Sequence, residues 1–292
     1  MTLQRLTVLP QPSAATPRFT PVALPSEQEC SVDVRSIARM GQGDKWRTEA
    51  MRSYDRPVLV WFTRGQGRLT ISGRSCGYSP HNLVFLPPKT MHGFSTMGPV
   101  LGSLVFLPQG ADFDWPGKPL HLRLQDVRTQ RELTAQIEAM DEEVKREGER
   151  SQKMLRHQAA LLSIWLARTV ESLADHPFTS PGTRLDTAAH RLAEAYTALV
   201  ERDYRKPDGV QHYASLLGVT PTHLSRVCRK VSGRPALDIL TDRRHFEARR
   251  LLRDTKLQVS KIAEQTGFAS AAYFTRAFRA RTGQSPSEFR HS

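Results

Sequence analysis

The sequence predicts an α+β chain. A small antiparallel β-barrel comes first, a helical segment follows, and an all-α domain ends the chain. Three observations carry that reading. Short apolar runs punctuated by glycine and proline crowd residues 58–107, the spacing of a barrel or sandwich. From Thr129 onward, apolar residues recur every three or four positions, the period of helices packed on one face. Beyond Leu185 everything looks helical, and the pattern repeats at an offset of 49–50 residues.

The chain has 292 residues and 32.9 kDa, more than one typical domain. Hydrophobic residues are 39%, charged residues 24% and the mean hydropathy −0.46, which excludes a fibrous or wholly disordered chain. The longest apolar stretch, Ala159–Ala167, is interrupted by Ser163 and falls short of the roughly 18 residues of a membrane span. The N-terminus has Arg5 but no apolar core of signal-peptide length, so a cytoplasmic location is expected. Cys30, Cys76 and Cys228 are odd in number and far apart, unlike a disulfide framework or a paired metal site, and read as reduced thiols.

The elements follow in order. Residues 1–25 hold five prolines and predict an extended arm. Residues 26–127 form the barrel. Val58–Thr63 is a β-branched and aromatic run, Gly65-Gln66-Gly67 a turn, and Arg68–Ser72 an alternating strand ended by Gly73. Asn82–Leu86 is closed by Pro87-Pro88, and Leu101–Leu107 is a further strand. Residues 128–175 are helical. Leu133, Ile137, Met140 and Val144 form one stripe, and Leu155, Leu162, Leu166, Val170 and Leu173 a second, with Trp165 beside it. The second stripe suits packing on the barrel or a dimer seam, and one face can serve both. Residues 176–184 are a linker, and 185–292 the last domain.

Charge separates the two halves. The net charge is +13, and residues 184–292 carry 20 Lys+Arg against 11 Asp+Glu, most of that excess. A basic domain attracts polyanions, with nucleic acid the default partner, although solvated arginines give the same balance. The repeat decides between them. Ala214-x3-Gly218 recurs as Ala263-x3-Gly267. Leu224-Ser225-Arg226-Val227-Cys228-Arg229 followed by Gly233 recurs as Phe274-Thr275-Arg276-Ala277-Phe278-Arg279 followed by Gly283. The alanine permits close approach of a second helix, and the glycine makes the turn. Thr220 and Ser270 sit at N-cap positions, with Pro221 next. This is a helix-turn-helix, in which the second helix presents its N-terminal residues to the major groove. Two in tandem, joined by an arginine-rich helix over roughly 235–253, make a strong signal. Ser285-Pro286-Ser287-Glu288 is a capping box for a last short helix.

With those motifs, and with Arg244-x3-Ala248-x2-Leu251-Leu252 and Tyr273-Phe274-x-Arg276-x-Phe278-Arg279-x3-Gly283-x2-Pro286-x2-Phe289-Arg290, the last 100 or so residues resemble the AraC/XylS family of bacterial transcription regulators. The resemblance implies two helix-turn-helix units on one rigid linker helix, entering successive major grooves of promoter DNA. It places Thr222, Ser225 and Arg226 of the first unit, and Ala271, Ala272, Thr275 and Arg276 of the second, toward the bases. Arg226 and Arg276 suit bidentate guanine contacts, each worth ~1–3 kcal/mol of discrimination. Arg229 and Arg279, one turn on, suit phosphate. Ala271 and Ala272 replace polar residues frequent there, so the second unit is expected to read thymine methyls and shape. Cys228 stands where Phe278 stands in the repeat and is expected to be a packing thiol.

Residues 58–108 resemble the cupin-like sensor barrel that many members carry, through Thr63-Arg64-Gly65-Gln66-Gly67 and Pro87-Pro88-x3-His92. The resemblance makes Arg64, His92 and Phe94, with Trp61, effector-binding candidates. The bland alternative is a surface Arg64 and a turn His92. Phe94 replaces a sugar-binding tyrosine, so an apolar or aromatic effector with a carboxylate opposite Arg64 is expected. No histidine precedes His81, so the first cupin metal motif is absent. No Gly-x-Ser-x-Gly, P-loop or GxGxxG occurs either. A cupin enzyme is disfavoured, no cofactor is expected, and an architectural DNA binder would need no barrel. The expectation is a homodimeric, effector-controlled regulator, an activator through RNA polymerase as most of the family are.

Overall fold

The computed structural model describes residues 32–40, 49–146, 148–174 and 187–291. The proline-rich arm, Cys30 and the linker expected over 176–184 lie outside the described residues. Among the described residues eight strands come first: β1 (Asp33–Ser36), β2 (Val58–Arg64), β3 (Gly67–Ile71), β4 (Arg74–Tyr78), β5 (Asn82–Leu86), β6 (His92–Thr96), β7 (Leu101–Phe106) and β8 (Leu120–Arg123). The short α1 (Ile37–Met40) follows β1. Two long helices, α2 (Val127–Val144) and α3 (Glu149–Ala174), come next. The C-terminal domain is all helix: α4 (Ala188–Asp203), α5 (Val210–Leu216), α6 (Pro221–Ser232), α7 (Ala236–Asp254), α8 (Val259–Gln265), α9 (Ala271–Thr282) and α10 (Pro286–His291). Among the described residues no helix is long and apolar enough to cross a membrane.

The strands make two antiparallel sheets, one in the order β1-β7-β2-β5-β8 and one in the order β4-β3-β6. The larger sheet is apolar on both faces because each face covers a core. Val60, Phe62, Val84, Leu104 and Phe106 point inward against Leu69, Ile71, Tyr78 and Phe94 of the smaller sheet. Their neighbours Leu59, Trp61, Leu83, Phe85 and Val105 point outward and pack on Leu133, Ile137 and Met140 of α2 and Leu155, Leu162 and Leu166 of α3. Successive residues of a strand face opposite ways, so a run such as Val58–Phe62 serves both cores. Gly65 closes the β2–β3 turn at φ +88°, where a Cβ would strike the Pro99 carbonyl.

Where the runs were apolar, the strands appear as the sequence predicts: Asn82–Leu86 coincides with β5, and Leu101–Leu107 ends one residue early. Four further strands carried no such run. β1 and β4 are polar, β6 opens with His92-Gly93, and β8 has four residues. They gain their strand form from pairing with a neighbour rather than from their own pattern. The second helical stripe also has a definite role here. Leu155, Leu162 and Leu166 are fully buried on the larger sheet. The free face of α3 is a different one, with Met154 50%, Leu161 64% and Ile164 39% exposed.

This separation is testable by denaturation. Leu166→Ala is expected to lower unfolding free energy by ~2–5 kcal/mol, while Ile164→Ala stays within about 0.5 kcal/mol of the parent.

Candidate nucleic-acid interface

Each C-terminal unit is a short helix, a glycine turn and a 12-residue helix. Ala214 and Ala263 are buried at the helix crossings. Gly218 and Gly267 take φ of +66° and +76° in the turns. At Gly267 a Cβ would collide with the Tyr204 and Lys206 carbonyls, so only glycine lets the second turn lie against the end of α4. Thr220 Oγ1 accepts from the His223 N–H at 3.2 Å, and Ser270 Oγ from the Tyr273 N–H at 3.2 Å. Gly233 and Gly283 end the two helices in the left-handed region. Leu224 and Cys228 of α6 are buried with Tyr196 and Tyr213, and Phe274 and Phe278 of α9 with Phe268 and Leu252. The Cys228 thiol is pushed up to about 12 by burial.

These cores leave one face of each long helix in solvent. Thr222, Arg226 and Arg229 are exposed on α6, and Ala272, Arg276 and Arg279 on α9. Ser225 and Thr275 are half-buried, and the Thr275 hydroxyl donates to the Ala271 carbonyl at 2.9 Å. Ala271 packs partly on the second core, which turns its methyl from the outer surface. Three residues on these faces are absent from the predicted DNA contacts: His223, Lys230 and Tyr273. Lys230 is exposed, Tyr273 is 48% exposed, and His223 Nδ1 lies 3.1 Å from the Arg226 guanidinium. The 50-residue offset pairs His223 with Tyr273 at the third helical position, a signal that was present but overshadowed by the arginines. Outward cations beside the positive end of a helix suit phosphate oxygens and base edges.

Many other arginines of this domain hold the scaffold. Arg243 donates to Glu201 at 2.6 and 3.1 Å and lies 3.9 Å over the Tyr204 ring. Burial opposes its charge, but the Glu201 bonds, Tyr204 and Glu247 more than offset this and hold its pKa above the usual value. Arg244 donates to the carbonyls of Tyr204, Lys206 and Asp208 at 2.9, 2.6 and 2.8 Å. Asp242 is fully buried on α7. It accepts from Arg234 at 2.5 Å and from the Met51 backbone N–H at 3.2 Å, and it pairs with Arg281 of α9. The barrel also inserts Met51 and Met91 into the core of the first unit. Tyr54 meets Phe246 edge-on at 5.6 Å, and β4 lies against α4 and α6.

The effector candidates are scattered over the barrel. Phe94 faces the interior, 6.4 Å from Phe62, whose ring stacks on Tyr78 at 4.0 Å. His92 is buried beside Tyr54, with its Nδ1 2.9 Å from the Thr90 carbonyl. Burial lowers its pKa to about 3 despite that bond, aided by the nearby Arg52 charge. Trp61 is on the opposite face of its sheet, where its indole N–H donates to Thr134 Oγ1 at 3.2 Å. There it lines a surface cleft of about 380 Å³ with His81, Gln130 and Glu138. Arg64 is exposed at the end of β2, past a bulge. His92 and Phe94 thus share a surface, and Trp61 and Arg64 do not join them. His81, His92 and His121 have separate partners.

The geometry defines a tandem helix-turn-helix DNA-binding domain. Residues 213–292 match the family model described as "Helix-turn-helix domain". Over 110 residues the chain is 36% identical to the HTH-type transcriptional regulator GlxA of Rhizobium meliloti, covering 36% of this chain and 34% of that protein. It therefore spans about a third of that relative's length. Over 249 residues it is 24% identical to the HTH-type transcriptional activator RhaR of Escherichia coli O139:H28, covering 80% of this chain and 83% of that one. Among solved structures, the C-terminal domain of AraT, a response regulator from Geobacillus stearothermophilus, is 30% identical. It covers 37% of this chain and 88% of that one, with a TM-score of 0.33. Residues 213–292 thus carry the helix-turn-helix DNA-binding domain found in these transcription regulators.

Asp242→Ala leaves Arg234 and Arg281 without their shared buried carboxylate. Chemical denaturation is expected to show a loss of ~3–5 kcal/mol, the cost of breaking a buried pair. An exposed pair such as Lys261–Glu264 is expected to give at most about 1 kcal/mol when broken.

Proposed function

We propose that the protein is a sequence-specific regulator that reads promoter DNA with α6 and α9 and is controlled by a small organic effector acting on the barrel. The observation that carries this is the pair of outward arginines, Arg226 and Arg276, at equivalent positions of two capped helices on one scaffold. Thr222 and Ser225 stand beside the first, and Ala272 and Thr275 beside the second, as base-facing neighbours. Arg229 and Arg279 are the phosphate contacts. Ala271 acts as a spacer at the helix start. In this reading the chain works in the cytoplasm, contacts RNA polymerase as an activator, and catalyses no reaction.

A homodimer would form through the free face of α3, where Met154, Leu161 and Ile164 recur at helical spacing. The effector would be small and apolar or aromatic, since the inner wall offers Phe62, Tyr78 and Phe94. His92 and Phe94 would contact it directly. Arg64, exposed at the strand end, and Trp61, on the outer face, stand apart from that wall. A ligand shifts the regulator only through unequal affinity for two arrangements, and the Met51, Met91 and Tyr54 contacts give the barrel a route to α7 and the first unit.

Selection of bound duplexes from a random pool tests the reading. The parent is expected to recover a defined motif. Arg226→Ala is expected to lose ~1–3 kcal/mol on that motif and relax preference at one base pair, whereas Arg229→Ala weakens all sequences alike. Recovery of no motif by the full chain and by the 185–292 fragment alike would refute sequence-specific reading. A thermal-shift panel in which a folded Phe94→Ala variant keeps every ligand response intact would refute the barrel site.

A further inference from the structure

Cys76, His121 and Asn82 come from β4, β8 and β5 and meet where the edge of the smaller sheet passes the edge of the larger. Cys76 Sγ lies 3.4 Å from His121 Nδ1, and His121 Nε2 lies 2.7 Å from Asn82 Oδ1. The Asn82 amide is oriented by its Nδ2, which donates to Ser79 Oγ at 3.3 Å. Because an amide oxygen only accepts, Nε2 carries the imidazole proton and Nδ1 turns a lone pair to the thiol. The Leu69 carbonyl, 3.6 Å from Sγ, is a second acceptor for the same proton. This is the order nucleophile, base, orienting group. Cys76 and His121 are partly exposed, unlike the fully buried Cys228.

We propose that Cys76 is a covalent acceptor site for small α,β-unsaturated carbonyl compounds, with His121 as its base and Asn82 as the positioning residue. Sulfur bonds to the β-carbon while its proton passes to His121 Nδ1, and the C=C electron pair moves to give the enolate. The imidazolium then returns the proton to the α-carbon, so the thioether forms with nothing else consumed. Burial pushes the Cys76 thiol up to about 11 and lowers the His121 pKa. Free thiolate is therefore scarce at neutral pH, and reactivity depends on the proton transfer. Cys76 packs against the apolar inner core, which favours an uncharged electrophile over a charged oxidant or phosphate ester.

The position also gives an adduct a consequence. Arg74, two residues before, pairs with Glu194 of α4 at 3.6 Å, and Gly73 backs onto Ala193. β4 thus lies against both α4 and α6, where the smaller sheet meets the C-terminal domain. A thioether at the β4 edge displaces that contact. This regulatory step rests on the DNA-binding reading; the chemistry at Cys76 does not.

The test exposes the folded full chain to acrolein at neutral pH and maps adducts by peptide mass spectrometry. Cys76 is expected to be modified first. His121→Gln is expected to slow it on the order of 100-fold, and Asn82→Ala to slow it less, in whichever variant keeps the parent's circular dichroism. Equal rates in parent and folded variants, or no adduct at Cys76, would overturn the proposal. On a duplex selected by the parent, the adduct is expected to shift affinity several-fold, and Cys76→Ser to abolish that shift. An adduct without a shift would overturn the regulatory step. A parent that selects no duplex would count against the DNA-binding reading, while the labelling rates still judge the site.

Discussion

Asp242 is a carboxylate with no exposed surface, in the middle of the longest helix of the C-terminal domain. A lone charge there would be untenable. It is held by Arg234 at the end of the first helix-turn-helix unit, by Arg281 in the last turn of the second, and by the Met51 N–H of the barrel. One side chain therefore ties together the three bodies whose relative placement sets the reading head. Arg243 and Arg244 extend the same device, gripping the end of α4 through Glu201 and the Tyr204, Lys206 and Asp208 carbonyls. The orientation of α6 relative to α9 follows from this buried polar frame as much as from the two apolar cores on either side of α7.

The barrel obeys a similar economy. One five-stranded sheet is shared between an inner core and an outer core built with α2 and α3. That explains why Val58–Phe62 reads as continuously apolar, and why Trp61 and Phe94 end up on different surfaces. The inner space is occupied by stacked aromatic rings, so a ligand entering there must displace them, and His92 and Tyr54 would carry the movement toward Phe246.

The C-terminal domain was the most legible part of the sequence. Its caps, turn glycines and small crossing residues are local requirements, each met by one residue type, and the repeat states them twice. The outward placement of Arg226 and Arg276 follows from the same local pattern. The interdomain frame could not be read, because Asp242, Arg281 and Met51 are far apart in sequence and nothing local sets Asp242 apart from the other acidic residues of its helix. The arginines of α7 stood out by composition, and two of them, Arg243 and Arg249, are buried. Strands β4 and β8 were illegible for want of an apolar run, and with them the meeting of Cys76 with His121.

The Asp242 frame holds α6 and α9 on α7 as one rigid body. The most direct measurement is affinity for a selected duplex against the same duplex with about 5 bp, half a helical turn, inserted between the two contacted segments. A rigid head predicts a fall to non-specific affinity, with recovery of neither segment's protection on the opposite face. Unchanged affinity would mean that the two units move independently and that the Asp242 frame does not fix them.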